Sequence, residues 1–186
     1  MKVLLCITGS ISAYKGPSIA NGLSKQGHEV KVVLTKSALK FITKLSFSAQ
    51  GHETFIDEDD FSSNNVLHIE LIDWADKVLI APLSANTLSK IANGITDNLL
   101  TSIIRAYPFH DDEKKLILSL AMNTDMYVHP ITNMHLNIIK SFFENNYNLI
   151  NNSSNLTIIK PTVKILACNR LGIGALPNTV DILKHI

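Results

Sequence analysis

The sequence predicts a doubly wound α/β fold, one parallel sheet with helices on both faces. Three observations lead there. Val3-Leu4-Leu5-Cys6-Ile7 and Lys77-Val78-Leu79-Ile80-Ala81 are unbroken apolar runs, as expected of parallel strands buried on both sides. The first run passes through Thr8-Gly9-Ser10 into a helical pattern and then a second apolar strand, Val30 to Thr35, completing a βαβ unit. Strand and helix patterns then alternate along the chain.

The helix after the first strand carries Ile19, Ala20 and Leu23 at helical spacing and closes near Gly27. Pro82 is expected to stop the strand that begins at Lys77, and helices follow over Ala85 to Asn93 and Asp97 to Ala106. Leu116 to Ala121 reads as strand. Ile131 to Asn145 reads as helix, from the spacing of Ile131, Met134, Ile138 and Ile139. Short strands are expected at Tyr147 to Ile150 and Leu156 to Ile159, and a last helix at Val180 to Ile186. The Asn-rich stretch Asn145 to Asn155 is expected to be a surface turn region. Leu166 to Leu176, with Gly172 and Gly174, is expected to be a flexible loop. The 186 residues suit a single domain of Rossmann/flavodoxin-like, three-layer α/β/α architecture.

Composition excludes several classes. At 46% hydrophobic and 18% charged residues the chain can bury a core and is not disordered. Seventeen Lys and Arg against sixteen Asp and Glu give a net charge of +1, with no basic run longer than two. That argues against nucleic-acid and membrane-surface partners. No apolar stretch approaches the roughly 20 residues of a membrane-spanning helix, and no signal-peptide pattern opens the chain. Cys6 and Cys168 form no CxxC pair, which points to reduced thiols in the cytoplasm. The seven histidines show no metal-ligand spacing, so no metal is expected.

In an open α/β sheet the ligand crevice lies beyond the carboxyl ends of the strands. Those ends read Thr8 to Ser12, Thr35 to Ser37, Pro82 to Thr87 and Ala121 to Asn123: hydroxyls and amides with almost no charge. Each precedes a possible helix start, where free N–H groups favour a phosphate. The same Ser, Thr and Asn residues also suit helix capping alone. Only Gly9 and Gly16 occur where GxGxxG would lie, and Thr35 stands where a ribose-binding acid would end the second strand, so NAD is disfavoured. GxxxxGK[ST] is absent. A mononucleotide such as FMN fits better, with one phosphate, a polar ribityl chain and a flat ring.

Four segments carry a more specific signal. Pro82-Leu83-Ser84-Ala85-Asn86-Thr87, continuing as LSKIANGITDNLL to Leu100, resembles the PxSANT signature of the flavin-dependent cysteine decarboxylases. Ala121 to Pro130 (AMNTDMYVHP) is similar to that family's PxMNxxMW-type substrate motif. Val66 to Leu71, with Trp74 to Asp76, resembles its histidine segment, and Ala167 to Leu176 its cysteine-bearing substrate clamp, placed here at about residues 164–177. The resemblance covers the chain nearly end to end. It implies the stand-alone branch acting on 4′-phosphopantothenoylcysteine in coenzyme A biosynthesis, since 186 residues leave no room for a fused ligase. Cys168 argues against the lantibiotic peptidyl-cysteine branch, and flavin prenyltransferases lack the combination of His68, Asn123 and Cys168.

The resemblance also implies roles. Losing CO2 from a cysteinyl carboxylate leaves a carbanion that needs an electron sink. Oxidising –CH2–SH to a thioaldehyde supplies one, FMN accepting the two electrons, and decarboxylation then gives an enethiolate that must be protonated and reduced. His68 is implied as the base and Cys168 as the proton donor. Asn123 is implied to hold the carboxylate through a neutral amide, because a cation would stabilise the ground state; Met126, Ala167 and Asn169 join it at the substrate. Gly9, Ser10, Ser12, Thr35, Ser37, Phe41, Ser84, Ala85, Asn86, Thr87 and Met122 are implied to hold FMN, and Lys15 and Arg170 to meet the substrate phosphate. Members of the family assemble as trimers, so a homotrimer or a multiple of trimers is implied, with His68 supplied by the neighbouring chain.

Three positions depart from the family pattern. Leu120 stands for proline, which is expected to loosen the turn before Ala121, and Tyr127 for tryptophan. Asn169 stands for glycine, and Asn tolerates left-handed backbone. Two other readings remain: decarboxylation of another cysteinyl substrate, and a non-catalytic regulatory subunit of a protein phosphatase. Against the second stand the lack of an acidic tail and the presence of His68, Asn123 and Cys168.

Overall fold

The computed structural model describes residues 1–60, 66–109, 111, 113–144 and 155–186. Six strands form one sheet: β1 Lys2–Ile7, β2 Glu29–Leu34, β3 Glu53–Ile56, β4 Lys77–Leu83, β5 Lys115–Leu120 and β6 Leu156–Ile159. Their order is β3-β2-β1-β4-β5-β6 and every pairing is parallel. The helices are α1 Gly16–Lys25, α2 Leu45–Ser48, α3 Leu67–Trp74, α4 Ala85–Ala92, α5 Leu99–Arg105, α6 Thr124–Val128, α7 Pro130–Glu144 and α8 Thr179–Leu183.

Side-chain parity along the strands divides the core into two layers. Val3, Leu5 and Ile7 pack with Ile19, Ala20 and Leu23 of α1 and Ile182 of α8. Leu4 and Cys6 face Leu71 and Ile72 of α3, Leu88 and Ile91 of α4, and Leu99 and Leu100 of α5. All seven residues of β4 are buried. Each fully buried Leu or Ile contributes about 1.5–3 kcal/mol, which is why the central strands can dispense with polar residues. Burial pushes the Cys6 thiol far above its ordinary range, so Cys6 serves packing and not chemistry. Among the described residues no helix is long and apolar enough to cross a membrane.

The sequence reading needs correction at several elements. β4 does not stop before Pro82; it runs through a cis Ala81–Pro82 bond to Leu83. Pro82 has no N–H to give the ladder, and the register with β5 shifts between Ile80 and Leu83. Residues 166–176 are not a flexible loop. Leu171–Ala175 is a strand (β8) paired antiparallel with Thr162–Ile165 (β7), so only residues 166–170 form the tip of a hairpin. Its glycines mark close approach instead of freedom: a Cβ at Gly174 would overlap the Met122 carbonyl, and one at Gly172 the Thr124 hydroxyl.

The short elements β3, α2, α3 and α6 had no counterpart in the sequence reading. The expected helix at 97–106 begins instead at Leu99, because Asn98 caps it by accepting from the Thr101 N–H. The last helix is shorter than expected, Thr179–Leu183. The expected strand at 147–150 and nearly all of the Asn-rich stretch lie outside the described residues.

Gly16 opens α1 where the helix meets the sheet. A Cβ there would meet the Ile7 side chain and lie 2.9 Å from Phe47 Cζ. Gly16→Ala is expected to lower stability by about 1–3 kcal/mol through overpacking. The measurement is the denaturant midpoint; an unchanged midpoint would show that Ile7 and Phe47 give way freely.

Candidate active site

From β1 the chain winds outward through β2 to β3, then returns to β4 and winds the other way through β5 to β6. The carboxyl ends of β1 and β4 therefore form the switch point, where such sheets open a crevice. Thr8 sets the geometry there. Its buried hydroxyl donates to the Pro82 carbonyl at 2.8 Å and accepts from the Ser84 N–H at 2.9 Å.

The cleft above this point has a volume of about 1190 Å³. Single small ligands occupy about 300–1,000 Å³, so there is room for a mononucleotide and a second molecule. β1 contributes Gly9, Ser10 and Ser12, β2 contributes Thr35 and Ser37, β4 contributes Ser84, Ala85, Asn86 and Thr87, and β5 contributes Met122 and Asn123. Met126 of α6 and Ala167, Cys168 and Asn169 of the hairpin tip complete the wall. Of the residues expected at the site, His68, Phe41 and Arg170 do not line this cleft. Phe41 is exposed and lies just past the turn 38–40. His68 sits on α3 with its Nδ1 3.3 Å from the Asp60 carboxylate.

Capping and ligand-facing roles coincide in this structure. Ser10 accepts from the Ser12 N–H at 3.2 Å, and Ser84 accepts from the Thr87 N–H at 3.3 Å, each opening a helical segment toward the cleft. Thr35 receives the Ala38 N–H at 3.3 Å. Gly9 leaves the end of β1 bare, since a Cβ there would sit 2.5 Å from Ser37 Cβ. Hydroxyls, backbone donors and a bare main chain suit one phosphate and a polar chain, so the residues present fit FMN.

At the other wall Asn123 caps α6, its Oδ1 accepting from the Asp125 N–H at 2.9 Å. That bond fixes the amide, and its Nδ2 points across to Cys168 Sγ at 3.6 Å. The tip holding Cys168 is a tight turn: Leu166 N–H donates to Arg170 O, Asn169 N–H donates to Leu166 O, and Asn169 takes a left-handed φ of 59°. Asn169 thus adopts the conformation glycine would favour. The loosening expected at Leu120 is not seen: Leu120 is buried, Ala121 N–H donates to Leu83 O at 3.1 Å, and Met122 N–H donates to Gly174 O at 3.0 Å.

Lys15, expected at the site, lines the cleft, whereas Asp57, Lys90 and Asp97 went unrecognised in the sequence. Lys15 donates to the Leu176 and Pro177 carbonyls, and burial, then nearby Lys164, holds its ammonium below the usual lysine range. Asp57 accepts from the Lys36 and Leu99 N–H groups; burial raises its pKa, the two N–H bonds opposing. Lys90 pairs with Asp97 at 2.5 Å and draws that carboxyl below its ordinary value. Asp57 follows β3, and without that strand no signal placed it at the crevice.

The chain matches the Flavoprotein family over residues 1–186. It is 44% identical over 180 residues to phosphopantothenoylcysteine decarboxylase of Arabidopsis thaliana, covering 94% of this chain and 78% of that one. It is 38% identical over 190 residues to a probable thymidylate synthase of Schizosaccharomyces pombe, of which it spans only 28%. Among solved structures, a Cys-to-Ser mutant of PPC decarboxylase complexed with pantothenoylaminoethenethiol superposes with a TM-score of 0.86 at 41% identity, over 99% of this chain and 94% of that one. The FMN binding protein AtHal3 gives 0.82 at 42% identity, over 99% and 93%. By near full-length likeness and by the crevice at its switch point, the chain belongs to the Flavoprotein family, alongside phosphopantothenoylcysteine decarboxylases.

Proposed function

We infer that the protein catalyses FMN-dependent decarboxylation of 4′-phosphopantothenoylcysteine to 4′-phosphopantetheine, a step of coenzyme A biosynthesis, with residues 1–186 as one flavoprotein domain. The observation that carries this reading is the meeting of Asn123 and Cys168 across the cleft at 3.6 Å. An amide donor and a thiol converge where a cysteinyl substrate would lie beside the flavin. When bound, FMN takes two electrons from the substrate thiol and later returns them.

The remaining work falls to the chain. Gly9, Ser10, Ser12, Thr35, Ser37, Ser84 to Thr87 and Met122 would hold the cofactor. Asn123 directs its Nδ2 donor at the substrate carboxylate; being neutral, it orients that group without opposing loss of its charge. Met126, Ala167 and Asn169 bracket the substrate, and the hairpin tip excludes water as Cys168 delivers a proton. Lys15 and Lys164 place positive charge at the wall for a substrate phosphate. His68 stands outside its own chain's cleft, so it acts in a neighbouring copy, and the working unit is a homotrimer or a multiple of trimers.

Incubating the flavin-loaded protein with 4′-phosphopantothenoylcysteine and reading products by mass spectrometry tests the reaction; loss of CO2 is expected. Cys168→Ser is expected to release CO2 still and to accumulate an enethiol lighter than the normal product by two hydrogens. Normal product from that variant would remove Cys168 from the mechanism. His68→Asn is expected to lose at least about 100-fold in CO2 release with flavin retained, the lower end of what a positioned base contributes. Unchanged turnover would refute the role of His68.

A further inference from the structure

Among the described residues His68 is partnered by a carboxylate that the proposed reaction does not use. His68 stands at the start of α3, and its Nδ1 lies 3.3 Å from both Asp60 Oδ1 and Asp60 Oδ2. The Asp60 side chain is 6% exposed and that of His68 18%. A carboxylate so far withdrawn from water needs a donor, and His68 supplies one. An ionised carboxylate can only accept, so Nδ1 carries hydrogen whether the ring is neutral or charged. In the neutral ring the basic lone pair is then on Nε2.

We propose that Asp60 is a positioning residue for His68. It holds the imidazole as the Nδ1–H tautomer, presents Nε2 as the basic nitrogen, and stabilises the imidazolium formed on proton uptake. In that step the substrate S–H bond breaks, its proton forms an N–H bond at Nε2, and the electron pair stays on sulfur as thiolate. Asp60 accepts from Nδ1–H and takes up no proton in the step. The inference rests on the reading of His68 as the base. A merely structural pair would fasten the turn at Asp60 to α3 without selecting a tautomer.

Long-range 1H–15N correlation spectra of flavin-loaded protein carrying 15N-histidine report the tautomer, with His68 assigned by its loss in His68→Asn. The Nδ1–H form is expected for His68 in the unaltered protein, and the Nε2–H form overturns the proposal without need of a variant at Asp60. In Asp60→Asn, kcat for CO2 release is expected to fall at least tenfold, with KM and bound flavin unchanged. An unchanged kcat overturns the proposal, and so does a fall accompanied by flavin loss or an equal rise in KM, which marks a structural role. Unchanged CO2 release in His68→Asn removes the base itself. Loss there beside full activity in Asp60→Asn removes only the part assigned to Asp60.

Discussion

The site depends on how the two central strands are tied at the point where they diverge. β1 and β4 pair from Val3–Lys77 to Cys6–Ile80, and beyond that register Pro82 has no N–H to continue the ladder. The Thr8 N–H still reaches the Pro82 carbonyl at 3.3 Å, and the Thr8 hydroxyl reinforces that tie, donating to the same carbonyl and accepting from the Ser84 N–H. Both capacities of a fully buried hydroxyl are thereby used. Leaving the Ser84 N–H unmet would cost about 1–3 kcal/mol, so the spacing of the strand ends is held firmly. Ser84 then caps α4, and its own side chain is fixed by the Thr87 N–H. A single threonine thus links sheet geometry to the orientation of the cleft's hydroxyls.

The opposite wall is held by contact. Gly174 and Gly172 allow β8 to lie directly on the backbone of Met122 and beside Thr124, a spacing no side chain would permit. The Met122 N–H to Gly174 carbonyl bond joins the hairpin to the end of β5. Asn123 lies one residue from that bond, and Cys168 sits at the tip of the hairpin the bond anchors. The amide is further oriented by its cap on Asp125. The pairing of the hairpin leaves only the five residues 166–170, Cys168 among them, as its unpaired tip.

Much of this was legible in the sequence, and what escaped has physical reasons. β1, β2, β4 and β5 are announced by apolar runs because strands buried on both faces are built mostly of apolar residues, and the chemistry at their ends follows from the parallel topology. β3 has four residues at the sheet edge, too few for a period to emerge, and with it went Asp57. α3 is only eight residues long, so its helical period barely completes two turns. The hairpin was misread because glycine signals both flexibility and close approach, and only the neighbours at Met122 and Thr124 decide between them. Asn169 was legible, since its left-handed backbone is what asparagine accepts in place of glycine.

His68 and Cys168 are separated by more than chain distance. Cys168 and Asn123 belong to a wall built by β5 and the hairpin, while His68 and Asp60 belong to α3 and the turn before it. A base that takes a proton at the first step and an acid that gives one at the last should not exchange protons directly, or the thiol would be spent before the enethiolate forms. With the roles proposed for them, Cys168 at a tip lining the cleft and His68 on a helix outside it would satisfy that requirement. On the proposed reading assembly would be a condition of turnover: an isolated chain would hold the cofactor cradle, Asn123 and Cys168, and would draw His68 from a second copy.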